Sequence, residues 1–380
     1  MFERMIDLDA NATTPLDDAA LEAMLSCLRE HHGNPSSVHH GGRQSRAIID
    51  SSRDTLAALL RCRPHEITFT GSGTESDNLA IFGLARAHAF RGRHLVTCAT
   101  EHHAVLHAFD ALERHEGFEV TRLGVGRDGT VCPEALRAAM RPDTTLVSIM
   151  SANNETGVRQ PVATISGICR SAGVLFHCDA VQSFGKEPID LCLFDALSIA
   201  AHKFYGPKGV GLLYLRSGLP LQPVLRGGAQ EAQRRPGTEN AAAIAGMAAA
   251  ARVAVERMEH DALRIGPLRD RLEARILEYC PRVELNGADA PRLWNTANIT
   301  FPGSDAESLL MALDMEGVWA SSGSACMVGS MQPSHVLEAM GRSPARAASS
   351  IRFSLGRSMT LEAVEAACER VGRVWNRLKA

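Results

Sequence analysis

The chain has few of the features that mark membrane, secreted or nucleic-acid-binding proteins. Its longest strongly apolar, uncharged run is the Ala-rich Ala241–Ala251. That falls well short of the ~20 residues needed to span a bilayer. The opening MFERMIDLDA carries acids and no apolar h-region, so no secretory signal is expected. Lys+Arg number 40 against 43 Asp+Glu, a net charge of −3. No surplus of positive charge exists to release counterions, so neither nucleic acid nor an anionic membrane is an expected partner. None of the 10 cysteines forms a C-x-x-C pair, and a chain of 380 residues can build a core without disulfides. Cys62/His65, His102/His103 and His39/His40 lack a second ligand pair at zinc spacing, so no metal is expected. A reducing, cytoplasmic compartment is the expected home. No Walker A sequence occurs, and Ser76 stands where a dinucleotide fingerprint would need its third glycine.

What the chain does contain is an ordinary globular balance, with 45% hydrophobic and 22% charged residues. Its length suits one large α/β domain with a smaller one attached. Short apolar runs recur at Ile67–Thr70, Leu95–Cys98, Thr145–Met150, Val174–Cys178, Ala196–Ala200 and Val210–Leu215. Helix-like stretches lie between them, at Glu75–Ala89, His103–Glu116, Pro133–Met140 and Val162–Ala172. Apolar runs of this kind are strands covered on both faces, so the alternation predicts a mostly parallel sheet between helices. After Leu215 the pattern changes. A Gly/Arg-rich loop leads to an Ala-rich helix expected from Glu239 to about Arg264. A helix at Leu268–Tyr279, strands at Asn298–Phe301 and Val318–Ala320, a helix at Ala306–Met315 and two more helices around Ile351–Leu355 predict a smaller α+β domain. The expected division is 15–260 for the large domain and 1–14 with 261–380 for the small one.

Ligands of open α/β sheets collect at the carboxyl ends of the strands. There the sequence places Gly73 and Thr74 in a small-residue turn opening a helix, then His102, Asn154, Asp179 with Gln182 one turn on, and His202-Lys203. Singly, each has a structural explanation: a capped turn, an N-cap, a core histidine, a solvated lysine. Together they match the needs of pyridoxal phosphate, namely an amine for its aldehyde, a carboxylate for its ring nitrogen and donors for its phosphate. Lys203, directly after an apolar strand, is the candidate amine; Lys208, in a tight Gly-Pro-Lys-Gly turn, is the less buried one. Two further residues stand out. Cys326 sits in the uncharged loop Ser321-Ser322-Gly323-Ser324-Ala325-Cys326-Met327, where a thiol can be exposed and reactive. Arg352 is a charge inside an apolar, strand-like segment, either a structural ion pair or a clamp for a carboxylate.

These segments resemble the NifS/IscS-like cysteine desulfurases, pyridoxal-phosphate enzymes of the class V aminotransferase family. The likeness runs through Leu8–Pro15, Gly33–Ser37, Gly73–Asn78, Glu101-His102, Asn153–Glu155 and Asp179–Gln182. It continues through His202–Gly209, Gly237–Asn240, Ser321–Cys326, Pro333–Val336 and Ile351–Arg357, nearly the whole chain. The resemblance implies an aspartate-aminotransferase-like (fold-type-I) enzyme. Lys203 would hold the cofactor and carry protons, with His102 stacked on its ring and Asp179 on the ring nitrogen. Gln182 and Asn154 would reach the ring oxygen, and Gly73, Thr74 and His202 would hold the phosphate. Thr238 would complete the neighbouring subunit's site, which implies a homodimer. Cys326 would take sulfur from L-cysteine as a persulfide and release L-alanine, while Arg352 and Asn154 hold the substrate carboxylate. A sulfur-acceptor protein would follow, serving iron–sulfur cluster assembly or another thiolation pathway. A selenocysteine lyase or cysteine-sulfinate desulfinase on the same fold are the rivals. The family commonly has serine at Ala200 and threonine at Met327.

Overall fold

The computed structural model describes residues 5–322 and 333–379. A two-residue strand, β1 (Ile6–Asp7), begins the described chain. The central sheet then follows: β2 (Ile67–Thr70), β3 (His94–Cys98), β4 (Glu119–Leu123), β5 (Thr144–Ser148), β6 (Leu175–Asp179), β7 (Ala196–Ala200) and β8 (Gly211–Leu215). Its strand order is β2-β8-β7-β6-β5-β3-β4. Only β8 runs antiparallel to its neighbours, pairing Ala196 with Leu215 on one side and Ile67 with Tyr214 on the other.

The apolar runs work as strands because successive side chains point to opposite faces. Val96, Val147, Phe176, Leu197 and Leu212 pack into one core, while Leu95, Leu146, Leu175, Ala196 and Leu213 pack into another on the other face. The helices Gly73–His88 and His103–Glu116 cover the second face. Helices Val162–Ala172 and Ala241–Tyr279 contribute Ile165, Ile244 and Met247 to the first.

A third core surrounds a three-stranded antiparallel sheet built from β9 (Glu284–Leu285), β10 (Thr296–Thr300) and a later strand. Between them in sequence, β11 (Val318–Trp319) pairs in parallel with β1. The later strand is β12 (Ser350–Ser354), which pairs with β10 and carries Arg352. Phe301, Phe353 and Trp375 fill this core, with the Phe301–Phe353 and Phe301–Trp375 ring centroids 6.4 and 5.3 Å apart.

One expectation needs correction. The helices predicted to end near Arg264 and begin at Leu268 are a single helix of 39 residues, Ala241–Tyr279, with Pro267 inside it. Residue 260 therefore lies mid-helix, and no linker separates the two parts there. Proline removes one backbone hydrogen bond and crowds the preceding turn. Here packing on both sides outweighs that cost. Ala250, Ala251 and Ala254 lie in the core of the large sheet, and Ile265, Leu272 and Ile276 in the third core. Arg264 also ties the helix to the backbone carbonyls of Arg357 and Met359.

Phe353 is fully buried beside Arg352. Phe353→Ala is expected to cost about 3–5 kcal/mol of stability, the range for deleting a buried aromatic ring. Denaturant unfolding of the purified variant measures it.

Candidate active site

The carboxyl ends of β2, β3, β5, β6 and β7 converge on a cavity of about 450 Å³. It brings together Gly73, Thr74, His102, Asn154, Asp179, Gln182, His202, Lys203 and Arg352. Sequence reasoning had named each of them. Thr238 is not among its lining residues. It is exposed and borders a separate hollow with Asn34, Pro35 and Glu239. Cys326 lies outside the described residues, as does Met327; Ser321, at the start of the segment leading to Cys326, lines the cavity.

Lys203 follows β7 in a single 3₁₀ turn. Its Nζ donates to the carbonyl oxygens of Asn11 at 2.8 Å and Ala12 at 2.7 Å. Burial, reinforced by the Arg352 guanidinium, lowers its pKa to about 8, against the opposing pull of Asp179 and Asp9. The amine is thus brought within reach of its neutral, nucleophilic form at physiological pH. Asp179 ends β6, with Oδ1 accepting from the Val181 N–H at 2.8 Å. Burial raises its pKa to about 6, although Val181 N–H and Lys203 both favour the carboxylate. Beneath it lie two more buried acids, Asp77 and Glu101, which burial pushes well above the usual carboxylate range.

His102 caps the helix His103–Glu116, and its Nδ1 accepts from the Ala104 N–H at 3.1 Å. That bond requires the neutral Nε2–H tautomer. The ring faces the open cavity but is walled by protein elsewhere. Desolvation, then Lys203 and the imidazoles of His103, His335 and His107, lower its pKa to about 4. His202 is lowered to about 4 as well, by burial first and then by Lys203 and Lys208. Both rings are uncharged at neutral pH.

At the start of the helix Gly73–His88, Ser72 Oγ accepts from the Glu75 N–H at 3.1 Å. The first-turn N–H groups and Thr74 make this helix end an anion site. Gly73 is required by close approach: a Cβ there would meet Val181 Cγ2 at 2.7 Å and the Ala200 methyl at 3.2 Å. Arg352, 4% exposed, donates to Asp9 Oδ1 at 2.7 Å and to the Asn154 carbonyl at 3.1 Å, while its buried Nε has no hydrogen-bond partner. The structural ion pair and the clamp are therefore compatible: Asp9 holds one edge of the guanidinium at the cavity wall.

Several site residues carried no role in the sequence reading. Asn11 is the chief one. Its backbone carbonyl receives Lys203 and Gln182, and its side chain bonds Thr296 Oγ1 at 2.9 Å, the Asn154 carbonyl at 3.2 Å and the amide of Asn295 at 2.9 Å. Glu155, bonded to Ser334, and His335 also line the wall. An asparagine in a polar segment looks the same whether it is solvated or buried; its neighbours come from distant chain segments. Among the described residues, no group of three or more His, Cys, Asp or Glu side chains could hold a metal ion, and no helix is long and apolar enough to cross a membrane.

Comparison with known proteins agrees with this geometry. The aminotransferase class-V family model matches residues 6–367. The chain belongs to the aminotransferase class-V family. It is 44% identical over 380 residues to the cysteine desulfurase IscS of Dictyoglomus turgidum, covering 100% of this chain and 96% of that one. It is 46% identical over 373 residues to an IscS-like cysteine desulfurase of Mycobacterium tuberculosis, covering 96% and 95%. A solved NifS-like protein superposes with a TM-score of 0.92 at 35% identity, covering 98% of this chain and 100% of that one. The family depends on pyridoxal phosphate, and the residues present fit that group: a half-buried amine, a buried carboxylate and the N-terminus of the helix that starts at Gly73.

Gly73→Ala is therefore expected to drive Val181 or the helix end into the cofactor space. The affinity of the cofactor-free protein for pyridoxal phosphate should fall at least about tenfold, ~1.4 kcal/mol, as measured by absorbance titration.

Proposed function

We propose that this protein is a cysteine desulfurase that converts L-cysteine to L-alanine and passes the sulfur, through Cys326, to an acceptor protein. The observation that carries the reading is the convergence of Lys203, Asp179, the Gly73 helix end and Arg352 on one cavity, bordered by the segment that leads to Cys326. Bound pyridoxal phosphate supplies an electron sink for the substrate's α-carbon.

The chain's own groups do the rest. Lys203, lowered to about 8 by its surroundings, holds the cofactor aldehyde and then moves the substrate's α-proton. Asp179 would pair with the cofactor's ring nitrogen, with neutral His102 beside the ring. Gln182 and Asn154 would meet the ring oxygen, and Thr74, His202 and the N–H groups at Gly73 would hold the phosphate. The Arg352 guanidinium, already fixed by Asp9 and the Asn154 carbonyl, binds the substrate carboxylate, with Asn154 beside it. Cys326, as thiolate, attacks the substrate sulfur. The C–S bond breaks, a proton replaces sulfur on the β-carbon, L-alanine leaves, and the enzyme keeps a persulfide.

The reading extends to a homodimer in which Thr238 completes the partner's phosphate site. Its exposure away from its own subunit's cavity supports that. It also places the large domain at 15–260 and the small one at 1–14 with 261–380, and the enzyme in a reducing cytoplasm. Iron–sulfur cluster assembly is the favoured destination of the sulfur.

Wild type with L-cysteine and a reductant should release alanine and sulfide. Cys326→Ala should lose turnover by more than about a hundredfold while keeping its yellow cofactor, since removing a covalent nucleophile costs at least that much. Equal turnover by both proteins would move the assignment to a lyase that needs no protein thiol.

A further inference from the structure

A second lysine lies behind the cavity, and the mechanism above does not use it. Lys186 is 9% exposed. Its Nζ donates to the Gln182 backbone carbonyl at 2.9 Å and to Gln182 Oε1 at 3.3 Å. On the other side of the same amide, Gln182 Nε2 donates to the Asn11 carbonyl at 3.1 Å, the oxygen that also accepts from Lys203. The two lysines further line one small hollow of about 20 Å³, room for a single water.

The orientation of a glutamine amide follows from its partners. The Asn11 carbonyl can only accept, and Lys186 as an ammonium can only donate. Turning the amide over would set its NH₂ against that ammonium and its oxygen against a carbonyl, losing both bonds. The observed orientation keeps the oxygen on Lys186 and leaves one N–H of Nε2 uncommitted, on a side chain that lines the cofactor cavity. Burial first, then Lys203 and Arg352, lower the Lys186 pKa to about 7. A neutral Lys186 carries a lone pair that can accept from a turned amide, so the ammonium form makes the lock, while the Asn11 carbonyl favours the same orientation in either form.

We propose that Lys186 is a positioning residue that locks the Gln182 amide with its NH₂ toward the cofactor, so that Gln182 meets the ring oxygen only as a hydrogen-bond donor. The proposal rests on the cofactor assignment made above for Gln182. It gives Lys186 a role at a distance: it sets the polarity of one contact without touching cofactor or substrate.

A double-mutant cycle tests it, using pyridoxal phosphate as the probe and wild type, Lys186→Met, Gln182→Met and the double variant. The readouts are the cofactor dissociation constant, the position of the visible absorbance band and its pH midpoint. Each single variant is expected to weaken binding about tenfold, the order of one hydrogen bond, and to shift the band. In the Gln182→Met background, Lys186→Met should add nothing. Additive effects, or an unchanged band and affinity in folded Lys186→Met, would overturn the proposal. Should Lys186→Met fail to melt cooperatively, Gln182→Glu decides. It keeps an oxygen for Lys186 but offers no donor, so it must bind cofactor more weakly than Gln182→Met; equal or tighter binding overturns the proposal. Wild type that binds no pyridoxal phosphate would instead overturn the cofactor assignment itself.

Discussion

Everything at the active site depends on holding one amine away from water with only backbone carbonyls for company. Among the described residues, Lys203 has no carboxylate in hydrogen-bond contact; it is met by the Asn11 and Ala12 carbonyls. Neutral acceptors satisfy its donors without stabilising the ammonium as a carboxylate would. Burial and Arg352 then weigh against the charge, and the more distant Asp179 and Asp9 restore only part of it. The same economy keeps His102 and His202 uncharged and draws Asp179 up to about 6. The site thus brings the titrations of Lys203 and Asp179 toward neutral pH, which suits proton transfer there.

The carbonyls come from a segment that joins the two sheet systems. The chain leaves β1, bonds to β12 through Asn11 N–H on Ser354 Oγ at 2.9 Å, and crosses to the turn after β7, where the Thr14 N–H meets the His202 carbonyl at 2.9 Å. Arg352 on β12 reaches back to the Asn154 carbonyl from the other side. The cavity is therefore not a property of either sheet alone. The large sheet supplies the floor, and the smaller one supplies Arg352 and anchors Asn11. The helix Ala241–Tyr279, packed into both cores, holds the two sheets in one frame.

How much of this was legible follows from which physical signals are local. The buried parallel strands were read closely because both faces are apolar, and His103–Glu116, Val162–Ala172 and Ala306–Met315 came out with their observed limits. β4 was missed because its side chains are largely polar and exposed. The helices Asp18–Glu30 and His40–Leu60 went unread too; the first buries only Ala20 and Cys27, and the second carries Gly41 and Gly42 in its first turn. The break expected between Arg264 and Leu268 is absent because packing in two cores outweighs the local cost of Pro267. At the site, the residues with chemistry of their own sat at strand ends and could be named. Asn11 and Lys186 could not, because their roles consist of carbonyl and amide geometry assembled from distant segments. Cys326 was named from its loop and lies outside the described residues.

The most direct test is the titration of Lys203 itself in the cofactor-free protein. Competitive acetylation of lysine amines at graded pH, read by mass spectrometry, gives the midpoint at which this amine becomes neutral. A midpoint near 8 is expected for Lys203, below the ~10.4 of a free lysine amine. A Lys203 midpoint in that ordinary range would contradict it, because the site would then be holding an ammonium that cannot attack the cofactor at neutral pH.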